Sequence, residues 1–135
     1  MADTLYNQYN KNTMSTRAQV RFATREDGVS FSEHPDKIHA QFYVHSDGYP
    51  EGLGLDIAEM ISMNNNPSLN WEIEELQAQH GDLDFIYYIW QKYDDSTWIS
   101  IFEMMDYGDH EGECIFVGTP DKLIKKYKLN TNEDG

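Results

Sequence analysis

Residues 39–63, HAQFYVHSDGYPEGLGLDIAEMISM, decide the fold because they pass from a strand through a turn into a helix. Apolar and polar residues alternate over 38–45, which predicts a half-buried strand. Leu53, Ile57 and Ile61 recur at helical spacing and predict an amphipathic helix, which Asn64–Pro67 should end. The turn 45–54, HSDGYPEGLG, lies between them and is rich in glycine and proline.

The same patterns extend the fold in both directions. Alternating or continuous apolar runs predict further strands at 16–25, 84–90, 97–104 and 113–117. A second helix should open at Thr119 with Pro120 in its first turn, whereas residues 69–79 fit either a strand or a short helix. This order predicts an α+β two-layer sandwich, with a mostly antiparallel sheet of about five strands and two helices.

Length and composition predict a single domain. A chain of 135 residues fits one α+β domain over 14–129, with disordered tails at 1–13 and 130–135. The sequence has one cysteine, Cys114, no apolar run near the ~20 residues of a membrane span and no secretory leader. We therefore expect a cytoplasmic protein with no membrane partner and no cofactor.

The charge is strongly acidic and unevenly placed. Ten Lys and Arg stand against 24 Asp and Glu, a net charge of −14, which disfavours direct binding to a nucleic-acid backbone. Residues 72–113 contain many acids and aromatics but only one base, Lys92. This asymmetry favours a surface that docks on a basic protein, although it also fits a merely soluble surface. The candidate contact residues are Asp94, Asp95, Asp106, Asp109 and Glu111.

The turn 45–54 is a candidate ligand site. Glycines let a ligand approach the backbone, and a helix N-terminus offers N–H groups to a small anion such as a nucleotide. If the first two strands pair antiparallel, their polar rows share one face beside the turn. The candidate ligand residues are Arg17, Arg21, His39, Tyr43, His45, Asp47, Gly48, Tyr49 and Glu51. The alternative is an ordinary structural turn, since the spacing matches no phosphate-binding fingerprint.

Catalytic and metal-binding patterns are weak. His45 beside Asp47 is compatible with general acid–base chemistry, but no nucleophile accompanies them, and Cys114 lies in an apolar strand. His39, His80 and His110 add potential ligands without a known metal-binding spacing. We expect no metal site, and the pattern favours a protein without enzymatic activity.

The segment 42–52, FYVHSDGYPEG, resembles a motif of small, mostly uncharacterised proteins of bacteriophages and mobile elements. In them an aromatic residue, a histidine and Asp-Gly-Tyr-Pro lie between a strand and a helix, often after a Thr-Arg strand like Thr16-Arg17. The resemblance covers residues 15–61 and brings no known activity with it. It implies a compact acidic phage protein that acts on a host factor in the host cytoplasm.

Three functional hypotheses follow. The leading one is a phage-type binding protein that inhibits a host nucleic-acid-handling or defence protein through its acidic, aromatic surface. The alternative is a module that binds or hydrolyses a small anion at the 45–54 turn with Arg17 and Arg21. The third is a structural subunit, which predicts a defined homo-oligomer such as a homodimer.

Overall fold

The computed structural model describes residues 16–24, 35, 37–62, 70–92, 95–105 and 110–134. These residues form six strands and two α-helices. The strands are β1 (Ala18–Thr24), β2 (Lys37–Val44), β3 (Trp71–Glu74), β4 (Phe85–Gln91), β5 (Thr97–Met105) and β6 (His110–Gly118). The helices are α1 (Leu55–Ser62), which continues from a π-helical turn over Pro50–Gly54, and α2 (Pro120–Asp134).

All six strands form one sheet in the order β3-β2-β1-β4-β5-β6. Neighbouring strands run antiparallel except for the central pair, β1 and β4, which run parallel. The connection from β1 to β4 therefore includes β2, α1 and β3. This places β1, the first of the described strands, in the middle of the sheet.

The helices pack on one face of the sheet and form the main core there. Ile57 of α1 and Leu123 of α2 are fully buried against Val20, Tyr87 and Ile101 of the strands. Ser62 Oγ donates a hydrogen bond of 2.7 Å to Asp121 Oδ1, which joins the end of α1 to the start of α2. Burial of these apolar side chains supplies the main driving force for folding.

The other side of the sheet, which we call the second face, has its own smaller cluster. Ile86, Tyr88 and Trp90 of β4 point to this face and are buried with Phe102 of β5. The indole of Trp90 donates to Ser100 Oγ at 2.9 Å, so its polar group is satisfied inside the sheet. Strand β4 is thus covered on both faces, as its continuous apolar run predicts.

The α+β sandwich with a mostly antiparallel sheet and two helices is confirmed. The sheet has six strands because residues 71–74, from the stretch that the sequence left ambiguous, pair with β2. Helix α2 continues to Asp134 and so includes residues 130–134, which we had expected to form a tail. The expected tail at 1–13 lies outside the described residues.

Within the described part of the chain, neither helix combines the length and the apolar character that a membrane crossing requires.

Candidate functional site

The 45–54 turn is part of the packing between helices and sheet. Gly48 is buried; its N–H donates to the Thr16 carbonyl at 3.0 Å. Its own carbonyl accepts a 2.7 Å hydrogen bond from the Tyr87 hydroxyl, and burial raises the pKa of Tyr87. The geometry of Gly48 therefore favours the structural interpretation of this turn over a ligand-binding one.

The other candidate residues of the turn are spread along the surface. His45, Asp47, Tyr49 and Glu51 are all exposed, and Asp47 has a positive φ of 61°. His45 Nδ1 lies 3.3 Å from the Tyr43 hydroxyl. No hydrogen bond joins His45 to Asp47 among the described residues, so the structure gives no support to an acid–base pair here.

Arg17 holds the start of β4 in place. Its Nε lies 3.1 Å from Asp82 Oδ2, and its backbone N–H donates to Asp84 Oδ2 at 3.0 Å. The Arg17 carbonyl in turn accepts from the Asp84 N–H at 2.8 Å. The charge of Arg17 is thus paired with a carboxylate, so Arg17 is less available to bind an anion.

Arg21 is the centre of a polar network on the second face. Its Nε donates to Gln41 Oε1 at 2.9 Å, its Nη1 to the Tyr88 hydroxyl at 2.7 Å and its Nη2 to Gln19 Oε1 at 3.1 Å. The Tyr88 hydroxyl donates to Glu111 Oε2 at 2.5 Å, and burial raises the pKa of Tyr88. Glu111 Oε2 also lies 3.7 Å from Arg21 Nη1. These contacts connect β1, β2, β4 and β6 across the sheet.

Glu74 of β3 extends the network by bonding the two glutamines that contact Arg21. Its Oε2 accepts from Gln19 Nε2 at 2.9 Å and from Gln41 Nε2 at 2.8 Å. Its Oε1 lies 2.8 Å from His80 Nε2, and the His80 ring stacks on Tyr43 at 4.0 Å between centroids. A buried polar group must be paired to avoid a large desolvation cost, and this carboxylate pairs both glutamines.

Residues 75–82, which we call the roof segment, fold over the second face. The Gln19 and Gln41 side chains reach the Ala78 carbonyl at 3.1 and 3.3 Å, and Gln41 also reaches the Glu75 carbonyl at 3.2 Å. This cover explains why Gln19 and Gln41 are almost fully buried, although their alternation on the strands predicts an exposed polar row.

A cavity of about 460 Å³ opens between the roof segment and the sheet. Its polar lining includes Arg21, His80 and Glu111, and its apolar lining includes Leu83, Ile86 and Met104. Its size falls within the roughly 300–1,000 Å³ of small-molecule sites. Among the described residues, this second-face pocket is a concave polar site that the sequence did not indicate.

The structure brings together only part of the predicted ligand set. Arg21 lies in the network, and Tyr43 supports His80 from the same face. His39 instead contacts Thr24 Oγ1 at 2.9 Å, near the opposite end of β1. The sequence did not point to Gln19, Gln41, Glu74 or Tyr88 as site residues, and it suggested His80 only as a metal ligand. The shared polar row of β1 and β2 was a sequence signal for Gln19 and Gln41 alone, since Glu74 lies on β3 and Tyr88 on β4.

The residues predicted to bind a partner do not lie together either. Glu111 is half-buried in the Arg21 network, whereas Asp95 is exposed in the β4–β5 turn at the other end of the sheet. Asp94, Asp106 and Asp109 lie outside the described residues.

Exposed acids do gather at one end of the sheet, where β1, β4 and β6 begin and β5 ends. We call this surface the acidic end and define it by Asp82, Asp84, Glu103 and Glu113, which are all exposed. Asp84 precedes Phe85, the pairing partner of Glu103, and Glu113 precedes Cys114, the partner of Phe102. Arg17 also lies at this end of the sheet, where its Nε is paired with Asp82 Oδ2.

In the described part of the chain, no group of three or more His, Cys, Asp or Glu residues is arranged to hold a metal ion. Cys114 Sγ donates to the Phe116 carbonyl at 3.3 Å and packs beside the second-face cluster. Its surroundings are those of a small apolar side chain.

Comparisons of the chain with protein-family models, with curated proteins and with solved structures find no match.

Proposed function

We propose that this protein is a non-enzymatic binding protein that docks its acidic end on a basic surface of another protein. The intended partner is a host nucleic-acid-handling or defence protein, which the docked protein would inhibit. The observation that carries the proposal is the convergence of exposed Asp82, Asp84, Glu103 and Glu113, from three segments of the chain, beside Arg17, whose charge is already paired with Asp82.

The electrostatic free energy of these carboxylates favours association with a basic partner. Like charges gathered on one surface repel each other and oppose folding, and a basic partner removes that repulsion when it binds. Exposed charges of opposite sign also steer association and suppress wrong partners. A groove that binds nucleic acid is lined with Lys and Arg, so an acidic protein placed there competes with the nucleic acid.

Charge reversal tests the proposal directly. The double variant Glu103→Lys/Glu113→Lys should lose a co-purifying basic protein that the wild type retains. Glu72→Lys/Glu75→Lys is the matched control, because it reverses two exposed acids at the β3 edge and produces the same change in net charge.

Affinity for the captured protein is then measured at low and at high salt. We expect weaker binding at high salt, since exposed ion pairs are screened within about 10 Å at 0.1 M. Equal loss of binding in both double variants would show that binding depends on net charge and not on the acidic end. Binding that neither salt nor the Glu103/Glu113 reversal weakens would refute the proposal.

A further inference from the structure

The two edges of the sheet differ in how well they can accept another strand. Strand β6 forms one edge and β3 forms the other. The pairing of β5 with β6 shifts register twice, between Ile101 and Phe102 and between Phe102 and Met104. Such irregularities twist an edge strand and hinder its pairing with a further strand.

Side chains also occupy two backbone carbonyls of β6. Lys126 Nζ of α2 donates to the Ile115 carbonyl at 3.1 Å, and Cys114 Sγ donates to the Phe116 carbonyl at 3.3 Å. A strand added to this edge would compete with these side chains for backbone acceptors. The β6 edge is therefore poorly suited to bind an extended segment.

Strand β3 is a more open edge. Its four residues pair with residues 41–44 of β2 without a register shift, and no described strand lies on its outer side. Ile73 is 76% exposed, more than any other large apolar side chain of the described residues. Because alternate backbone groups of an edge strand point away from the sheet, β3 offers N–H and C=O groups to an extended segment.

The side chains of β3 indicate what such a segment should carry. Ile73 lies opposite Phe42 on the face that the helices cover, and the Phe42 ring is 5.6 Å from that of Trp71. Glu72 lies opposite Tyr43 on the second face and is exposed. Directly opposed residues of neighbouring strands share a face and interact. An added strand would therefore gain from apolar side chains beside Ile73 and from basic ones beside Glu72.

We propose that the outer edge of β3 binds an extended segment of another protein in which basic and apolar residues alternate. The segment joins the sheet as an additional strand. A second copy of this chain fits less well, because antiparallel pairing of two β3 strands would bring their glutamates opposite each other, and opposed like charges destabilise a strand pair. This edge is separate from the acidic end, and neither proposal depends on the other.

The probe is a synthetic eight-residue peptide of alternating Lys and Val with blocked termini. Fluorescence anisotropy measures its binding to the full chain. A peptide of alternating Glu and Val should bind at least about tenfold more weakly, since it places acids beside Glu72. A Lys/Val peptide with N-methyl groups on its four central residues keeps the charge but loses the central N–H donors of both its edges. We expect this peptide also to bind at least about tenfold more weakly.

Two pairs of variants locate the contact. Ile73→Thr keeps a β-branched residue but removes apolar surface, and it should weaken binding of the Lys/Val peptide by about fivefold. Val117→Thr makes a similar change at an exposed position of β6 and should leave binding unchanged. Glu72→Lys/Glu75→Lys should weaken binding more than Glu103→Lys/Glu113→Lys, which has the same net charge.

Hydrogen–deuterium exchange then reports where the peptide pairs. We expect the Lys/Val peptide to slow exchange over residues 71–74 and to leave β6 unchanged. Failure of the Lys/Val peptide to bind would overturn the proposal. Equal binding of the N-methylated peptide would also overturn it, because attraction between charges alone would then explain the affinity. Slower exchange in β6, or equal effects of Ile73→Thr and Val117→Thr, would rule out β3 as the docking edge.

Discussion

At the scale of single residues, the backbone of Gly48 is enclosed by the first strand and by Tyr87. A Cβ atom at this position would lie 2.8 Å from Ala18 Cβ and 3.0 Å from the Thr16 carbonyl oxygen. Neither atom lies at the end of a flexible side chain, so the strand itself would have to shift. Glycine is needed here for space, since the turn must approach β1 closely to bond Thr16 and Tyr87.

Gly48→Ala should therefore lower the free energy of unfolding by about 1–3 kcal/mol, the usual cost of overpacking. Gly54→Ala is the control, because a Cβ there would have ordinary contacts of 3.6–3.7 Å. We expect Gly54→Ala to stay within about 1 kcal/mol of the wild type. Urea denaturation measures both, and equal stability of the two variants would contradict the packing role of Gly48.

Tyr127 gives a prediction about pH. Burial, together with the charge of Glu51, raises the pKa of Tyr127 to about 12. The unfolded chain loses the Tyr127 proton at lower pH than the folded protein does. The contribution of protonated Tyr127 to the free energy of unfolding is therefore complete below the unfolded pKa of about 10. It is lost as the pH rises from there through 12.

The urea midpoint should thus fall between pH 9 and pH 11, and it should fall less steeply in Tyr127→Phe. Tyr49→Phe, which removes an exposed hydroxyl, serves as the control for other groups that titrate in this range. An identical pH dependence in the wild type and in Tyr127→Phe would show that the folded environment of this phenol is not what we describe.

At the scale of elements, the roof segment depends on strand side chains that reach it from below. Gln19 and Gln41 bond its carbonyls, and Glu74 holds both glutamines and His80. The second-face pocket exists only while this cover is in place. The carboxylate and the two amides therefore help to hold the roof segment in place, together with the His80–Tyr43 stacking and the Arg17–Asp82 pair.

Glu74→Gln should loosen the roof segment. The Glu74 carboxylate accepts three hydrogen bonds, from Gln19, Gln41 and His80. The amide nitrogen of a glutamine at this position would instead face one of these donors. We expect a loss of about 1–3 kcal/mol in the free energy of unfolding and faster hydrogen–deuterium exchange over residues 75–81. Glu72→Gln, on the same strand but exposed, should change neither. Unchanged exchange in Glu74→Gln would mean that the roof is held by other contacts.

The elements differ in how far the sequence predicts them. Strands β1, β2, β4 and β5 and helix α2 have clear patterns, because each buries at least one regular row of apolar side chains. β3 has four residues and an exposed Ile73 at its edge, so its pattern is too short to separate a strand from a helix. The parallel pairing of β1 with β4 follows from tertiary packing, and no local pattern encodes it.

The candidate site was less predictable than the fold. The alternation of β1 and β2 places Arg21 and Tyr43 on one face, but the glycine-rich turn was the stronger candidate because glycine and proline are easy to recognise in a sequence. Gln19, Gln41 and Glu74 look like solvated residues in the sequence, and they become buried only when the roof segment covers them. Their role comes from contacts between residues 33 to 59 positions apart, which no short motif records.

At the scale of the whole molecule, charge is the dominant feature. The net charge of −14 opposes the compact state through self-repulsion, and the acidic end concentrates part of that charge. In the absence of a partner, raising the salt concentration from 10 to 200 mM should therefore raise Tm of the wild type. Glu103→Lys/Glu113→Lys should show a smaller rise than Glu72→Lys/Glu75→Lys, and equal rises would contradict a local concentration of repulsion.

Docking of the acidic end on a basic protein is tested most directly by native mass spectrometry of the protein purified from its host at low salt. We expect a stoichiometric complex with a basic protein, which dissociates at high salt and is absent for Glu103→Lys/Glu113→Lys. A chain that appears only as a monomer or a homodimer, with no basic protein bound, would contradict it.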